Sequence, residues 1–249
     1  MKAINKAVKN GHLDILIILH KKGCYWDEAT CSLVAENGHI ECLMYAHKNG
    51  CPWNEWTCNY AAKNGHINCL EYAHKNGCHW NYRTCRYAAE NGNIDCLMYA
   101  HKNGCFWDSQ TCHVAAKNGH LECLVYAHKN GCNWDNETCH VAAKNGHLMC
   151  LKYAHENGCN WNYRTCNYAA KNSHFDCLRY THENGCPYPK ELLSTIVKKI
   201  LIPKWQESVK IRPYIKHWLE DFAKTFYAEN RQGRKRDYDT FIKDFNFIL

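Results

Sequence analysis

The hydrophobic and polar positions of this chain recur in a fixed order with a period of 27. In the copy from Thr111 to Trp134, TCHVAAKNGHLECLVYAHKNGCNW, two apolar clusters alternate with two Asn-Gly pairs. The first cluster, Cys112, Val114, Ala115 and Ala116, predicts a short helix whose start is capped by Asp108 or Thr111. It ends at Asn118-Gly119, because glycine supplies the left-handed residue that closes a helix. The second cluster, Leu121, Cys123, Leu124, Tyr126 and Ala127, predicts another helix that stops at Asn130-Gly131. These apolar positions cover more than one stripe, so the second helix must be packed on two sides. Two helices this short cannot bury that surface alone. Neighbours must stack on both flanks, and the pattern predicts an all-α solenoid of about seven stacked helix pairs.

Trp26, Trp53, Trp80, Trp107, Trp134 and Trp161 keep the same step. Residues 1–26 are already a copy, with Ile4 and Ile15 where later copies carry cysteine. No polar cap precedes it, which marks an exposed first unit or the start of a fragment. Six more copies fill residues 27–186, and the pattern breaks at Pro187-Tyr188-Pro189. The expected division is an array over 1–186 and a helical tail over 187–249 that caps the open face of the last repeat. The basic run at 231–236, RQGRKR, reads as a solvated loop.

Net charge changes this picture little: +7, scattered, with no Lys/Arg stripe along the repeats, so nucleic acid is not an expected partner. No apolar run approaches the roughly 18 residues of a membrane span, so no membrane association is expected. Nineteen cysteines would suggest a disulfide framework, but they fall into three columns of the repeat, their number is odd and there is no CxxC. Free thiols in a reducing, cytoplasmic setting fit better.

Histidine also recurs in two columns, one at the start of the second helix (His12, His39, His66, His120, His147, His174) and one near its end (His20, His47, His74, His101, His128, His155, His182). The HxxC spacing of His39 with Cys42 raises zinc, which needs four ligands or three and water. Ile4, Ile15 and Asn93 break the ligand columns, and the second histidine points elsewhere on the helix. The expected roles are structural: backbone bonding for the first column, and a partly charged imidazole near a helix C-terminus for the second. No metal and no cofactor are expected. GxSxG, GxxxxGK[ST] and HExxH are lacking too, and a histidine or cysteine repeated in every unit is no unique nucleophile or base, so no enzyme is expected. The tryptophans are expected to form a core ladder sealing the turns. Trp56, in a variable column, is expected to be exposed.

The word AAKNGHLECLVYAHKNGC resembles the ankyrin repeat, whose second half commonly reads AAxxGHLEVVKLLLExGA, over residues 2–186. Ser173 replaces one glycine and Asn93 one histidine. The resemblance implies an ankyrin-like α-solenoid and a protein partner. The family's unit usually takes about 33 residues and carries a TPLH tetrapeptide. The units here are shorter and read Thr-Cys, so short turns are expected in place of its projecting hairpins. Shortened arrays of this kind look like those encoded by giant DNA viruses of amoebae and by some protists, which would make the partner a host protein.

Because the chain aligns to itself, its variable columns are visible. They nominate Glu55, Trp56, Asn59, Tyr82, Arg83, Arg86, Gln110, His113, Glu137, His140, Tyr163 and Arg164 as the partner-binding face of a monomeric scaffold, with a groove of roughly 60 Å. The alternatives are a ubiquitin-ligase substrate adaptor acting through the tail and, after it, an array binding nucleic acid through Lys, Arg and Trp.

Overall fold

The computed structural model describes residues 2–134 and 137–187, and these form two parallel rows of short helices. The first row holds α1 (Lys2–Lys9), α3 (Glu28–Glu36), α5 (Glu55–Lys63), α7 (Tyr82–Glu90), α9 (Ser109–Asn118), α11 (Glu137–Lys144) and α13 (Tyr163–Lys171). The second row holds α2 (Leu13–Lys21), α4 (Ile40–Lys48), α6 (Ile67–Lys75), α8 (Ile94–Lys102), α10 (Leu121–Lys129), α12 (Leu148–Glu156) and α14 (Phe175–Glu183). Among the described residues no strand occurs, and the links between pairs are short turns. No described helix is long and apolar enough to cross a membrane. The tail expected over 187–249 lies, apart from Pro187, outside the described residues, and with it the expected cap and adaptor segment.

Asx residues start the first-row helices as read from the sequence. The Asp108 carboxylate accepts from the Gln110 amide at 3.0 Å, and Asn54, Asn81 and Asn162 do the same two positions on. Asp27 completes a capping box with Thr30. The asparagine of each Asn-Gly stop has a separate use. Its amide donates back one turn, as from Asn118 to the Val114 carbonyl at 3.0 Å and from Asn130 to Tyr126 at 2.7 Å. Gly119 then takes φ 81.

First-row helices pack on one another more extensively than second-row helices do. Their facing residues are small: Thr111, Cys112, Ala115 and Ala116 are each wholly buried, and small side chains let backbones approach closely. One leucine per second helix, from Leu16 through Leu43, Leu70, Leu97, Leu124 and Leu151 to Leu178, forms a continuous spine between the rows. Ile4 is buried like the cysteines of its column, while Ile15, in the first unit, is 41% exposed because no earlier repeat covers it.

All nineteen cysteines are free thiols, and all but Cys24 are buried. The cysteine after the second Asn-Gly does more than fill space. The thiols of Cys78, Cys105 and Cys132 donate to the carbonyls of Asn54, Asn81 and Asp108 at 3.2, 3.2 and 3.1 Å, tying the end of each repeat to the N-cap at its start. Burial pushes the second-helix thiols up, to about 12 for Cys96 and Cys123, so they stay protonated and unreactive.

Both histidine columns stitch neighbouring repeats together. Nε2 of His39 donates to the Lys9 carbonyl at 3.2 Å, and His66 to that of Glu36 at 3.1 Å, satisfying a helix-end acceptor of the preceding repeat. Asn93 does the same through its amide to Ala62 and Lys63. These are the backbone bonds expected, although they reach across the repeat boundary.

The second column departs from expectation. His101 lies flat on Trp107, ring centroids 3.7 Å apart at 7°, and its Nδ1 is 3.0 Å from the Tyr126 hydroxyl of the next repeat. The same triad recurs from His20 to His155. Burial lowers the pKa of His47, His74, His101, His128 and His155. Desolvation therefore outweighs the helix C-terminus, and the ring is held neutral instead of partly charged. The tryptophans are likewise not a ladder of their own: Trp26 is buried, the others half-buried, and each stacks on a histidine.

Candidate protein-binding face

The repeated histidines and buried thiols inside the array are engaged in holding repeats together. Among the described residues no three His, Cys, Asp or Glu side chains converge as a metal site would require. What varies between repeats is the first turn of each first-row helix and the position that follows it one turn later. The Asx cap fixes that turn, so its two residues are presented at the same register on every helix.

In that first turn Tyr82 is 44% and Tyr163 48% exposed, Arg164 and Glu137 are exposed, and Glu55, Arg83 and Gln110 are half-exposed. Trp56 differs from the expectation of full exposure. It is half-buried, with its ring centroid 5.4 Å from that of Tyr60 and the Arg83 guanidinium carbon 5.6 Å above it. The reason is the register: Arg83 stands one full repeat after Trp56, so stacking helices brings them face to face.

The later column splits. Asn59 and His140 are 0% and 1% exposed, wedged between adjacent first-row helices, and as placed they offer a partner no surface. Asn59 instead accepts from the Thr84 hydroxyl at 2.7 Å, and His140 Nδ1 lies 3.2 Å from Glu137. Arg86, His113 and Asn167 of the same column are half-exposed. Sequence variability separates surface from core only when the variable side chain is too long to be enclosed, and Asn59 and His140 are compact enough to fit between helices.

A groove that no motif in the sequence announces lies beside this face. Ala29, Ser32 and Leu33 form its floor, Trp56 and Tyr60 a wall, and Glu28 and Glu36 its rim, enclosing about 480 Å³. It exists because a large ring at Trp56 follows a small residue, Ala29, one repeat earlier. The signal was present in the column, but a size contrast gains meaning only when stacking makes the two positions neighbours.

Residues 31–83 and 139–180 match the family model described as ankyrin repeats (many copies). No curated protein matches the sequence. The crystal structure of the human ASB11 ankyrin repeat domain superposes on 63% of this chain and 84% of its own, with a TM-score of 0.55 and 16% identity, which shows a shared fold. With its Asn-Gly stops, histidine stitches and paired short helices in two rows, the repeat array of this chain has the ankyrin-repeat fold, and residues 31–83 and 139–180 within it are ankyrin repeats.

Proposed function

We propose that this array is a non-catalytic scaffold that binds a protein partner along the first turns of its first-row helices. Ankyrin repeats are generally protein–protein interaction scaffolds. The contact residues are Glu55, Trp56, Tyr82, Arg83, Arg86, Gln110, His113, Glu137, Tyr163 and Arg164, with Asn59 and His140 positioning them from beneath. The protein works as a monomer in a reducing, cytoplasmic setting, which the many free thiols support. If its source is viral, the partner is a host protein. The tail through which a ligase adaptor would act lies, apart from Pro187, outside the described residues.

The observation that carries this reading is the concentration of exposed aromatic and arginine side chains in one register of a rigid array. Such side chains dominate binding energy at protein interfaces. Affinity capture from the native cell with the full chain, followed by mass spectrometry, identifies the partner. Replacing Trp56, Tyr82 and Arg86 together by alanine, with the helical circular-dichroism signal retained, is expected to abolish its recovery. Undiminished recovery would sink the assignment of this face.

A further inference from the structure

The word NYRTCxYAA is written twice, over 81–89 and 162–170, and stacking gives its two arginines different surroundings. Arg164 lies 4.0 Å from a carboxylate oxygen of Glu137, one repeat upstream. At the same place Arg83 finds Trp56. Its guanidinium carbon lies 5.6 Å from the Trp56 ring centroid and 5.9 Å from that of Tyr82. A guanidinium held against aromatic faces still directs its N–H groups outward in its own plane, and little rotational freedom remains to be lost when an acceptor arrives. Among the described residues, neither Arg83 nor Arg86, one turn further along α7, has a carboxylate oxygen within 4.0 Å. The neighbouring Tyr82 side chain does most to favour the charged form of Arg83, and Glu55 adds a smaller share without pairing with it.

Beneath this pair runs a column short of acceptors. Asn59 on α5 is wholly buried; its oxygen is taken by Thr84, and its amide nitrogen has no partner. Nε of Arg86 on α7 and Nδ1 of His113 on α9 are also buried without one. Buried polar nitrogens left unsatisfied are rare, and this register carries them on α5, α7 and α9 and again at His140 on α11; those beside Arg83 mark a place for an acceptor from outside the chain.

We infer that α7 and its neighbours receive a carboxylate side chain from an acidic segment of the partner protein. Arg83 and Arg86 take the carboxylate as a fork, half-exposed His113 supplies a further polar contact beside it, and buried Asn59 positions them from beneath. This rests on the reading of the face as a protein-binding surface. Nucleic-acid phosphate is the competing source of negative charge, but a phosphate backbone calls for a basic stripe, and this pair stands alone between Glu55 and Glu137.

The test is fluorescence anisotropy of the full chain with a labelled glutamate–tyrosine copolymer and, separately, with polyuridylate. Saturable copolymer binding is expected, weakened by about tenfold or more in Arg83→Gln/Arg86→Gln, since truncating a hydrogen-bonded charge contact costs at least that much. Arg179→Gln, on second-row helix α14 with its guanidinium 3.6 Å from Asp176 and outside the proposed face, is expected to leave it unchanged. Arg83→Lys keeps the charge but loses the planar fork, so it is expected to weaken binding even if the double variant fails to fold. Equal affinity in Arg83→Lys and wild type, an equal loss in Arg179→Gln, or tighter binding of polyuridylate would each overturn the inference. A wild-type chain that ignores the copolymer yet captures its native partner through Trp56, Tyr82 and Arg86 would overturn the acidic assignment while leaving the proposed face standing.

Discussion

The Tyr126 hydroxyl lies 3.0 Å from Nδ1 of His101, joining two repeats through their second-row helices. His101 is in turn held in place by Trp107, whose ring stacks on it. Cohesion between repeats therefore depends on a neutral imidazole whose free lone pair meets a phenol proton.

Removing that proton isolates the contact. Tyr126→Phe keeps the ring against Trp107 and is expected to cost about 1 kcal/mol, the usual net value of one hydrogen bond. Urea denaturation of wild type and variant measures it. An unchanged midpoint would mean that water replaces the phenol without loss.

Acid should loosen the array. Burial holds the imidazoles of His47, His74, His101, His128 and His155 below their ordinary value of 6.5. In acid the unfolded chain then binds more protons than the folded one. Their contribution to stability is complete above about pH 6.5 and declines as pH falls toward the depressed folded values. The melting temperature is expected to drop on acidification below that point, with a shallower slope in His101→Gln. A melting temperature that rises in acid would contradict the neutral-ring assignment.

Two glycines with the same backbone should respond differently to alanine. Gly104 has φ 85 and nothing within 4 Å of an added Cβ, so Gly104→Ala carries only the left-handed penalty, about 1–2 kcal/mol. Gly119 has φ 81, and its added Cβ would stand 2.5 Å from Nδ1 of His147, which must leave its place. Gly119→Ala is expected to be clearly the more destabilising in thermal melts. Ser173, with φ 62 at an equivalent turn, shows that a side chain can adopt this backbone.

Thiol reactivity should follow burial. Cys24, half-buried and without a cysteine partner at position 4, is expected to take up iodoacetamide before the other cysteines in native protein. Peptide mapping after brief labelling reads the order directly. Cys58→Ser, which buries a hydroxyl where Ile4 shows an apolar side chain belongs, is expected to cost about 1–3 kcal/mol, and Cys58→Val less.

The repeat length, the helix pairs, their Asx caps and Asn-Gly stops, and the free state of the thiols were all legible in the chain, because each is a local pattern copied from unit to unit. The contact candidates were legible as columns. Their burial was not, since Asn59 and Trp56 vary as surface positions do, yet the first is enclosed and the second half-covered.

Period and local chemistry thus fixed which residues form helices and which positions recur. Only stacking decided what each position meets, because a contact between neighbouring repeats depends on how one is laid against the next. That placement turned His101 from a charged helix-end residue into a neutral acceptor, and gave Arg83 an aromatic face where Arg164, in the same word, has Glu137.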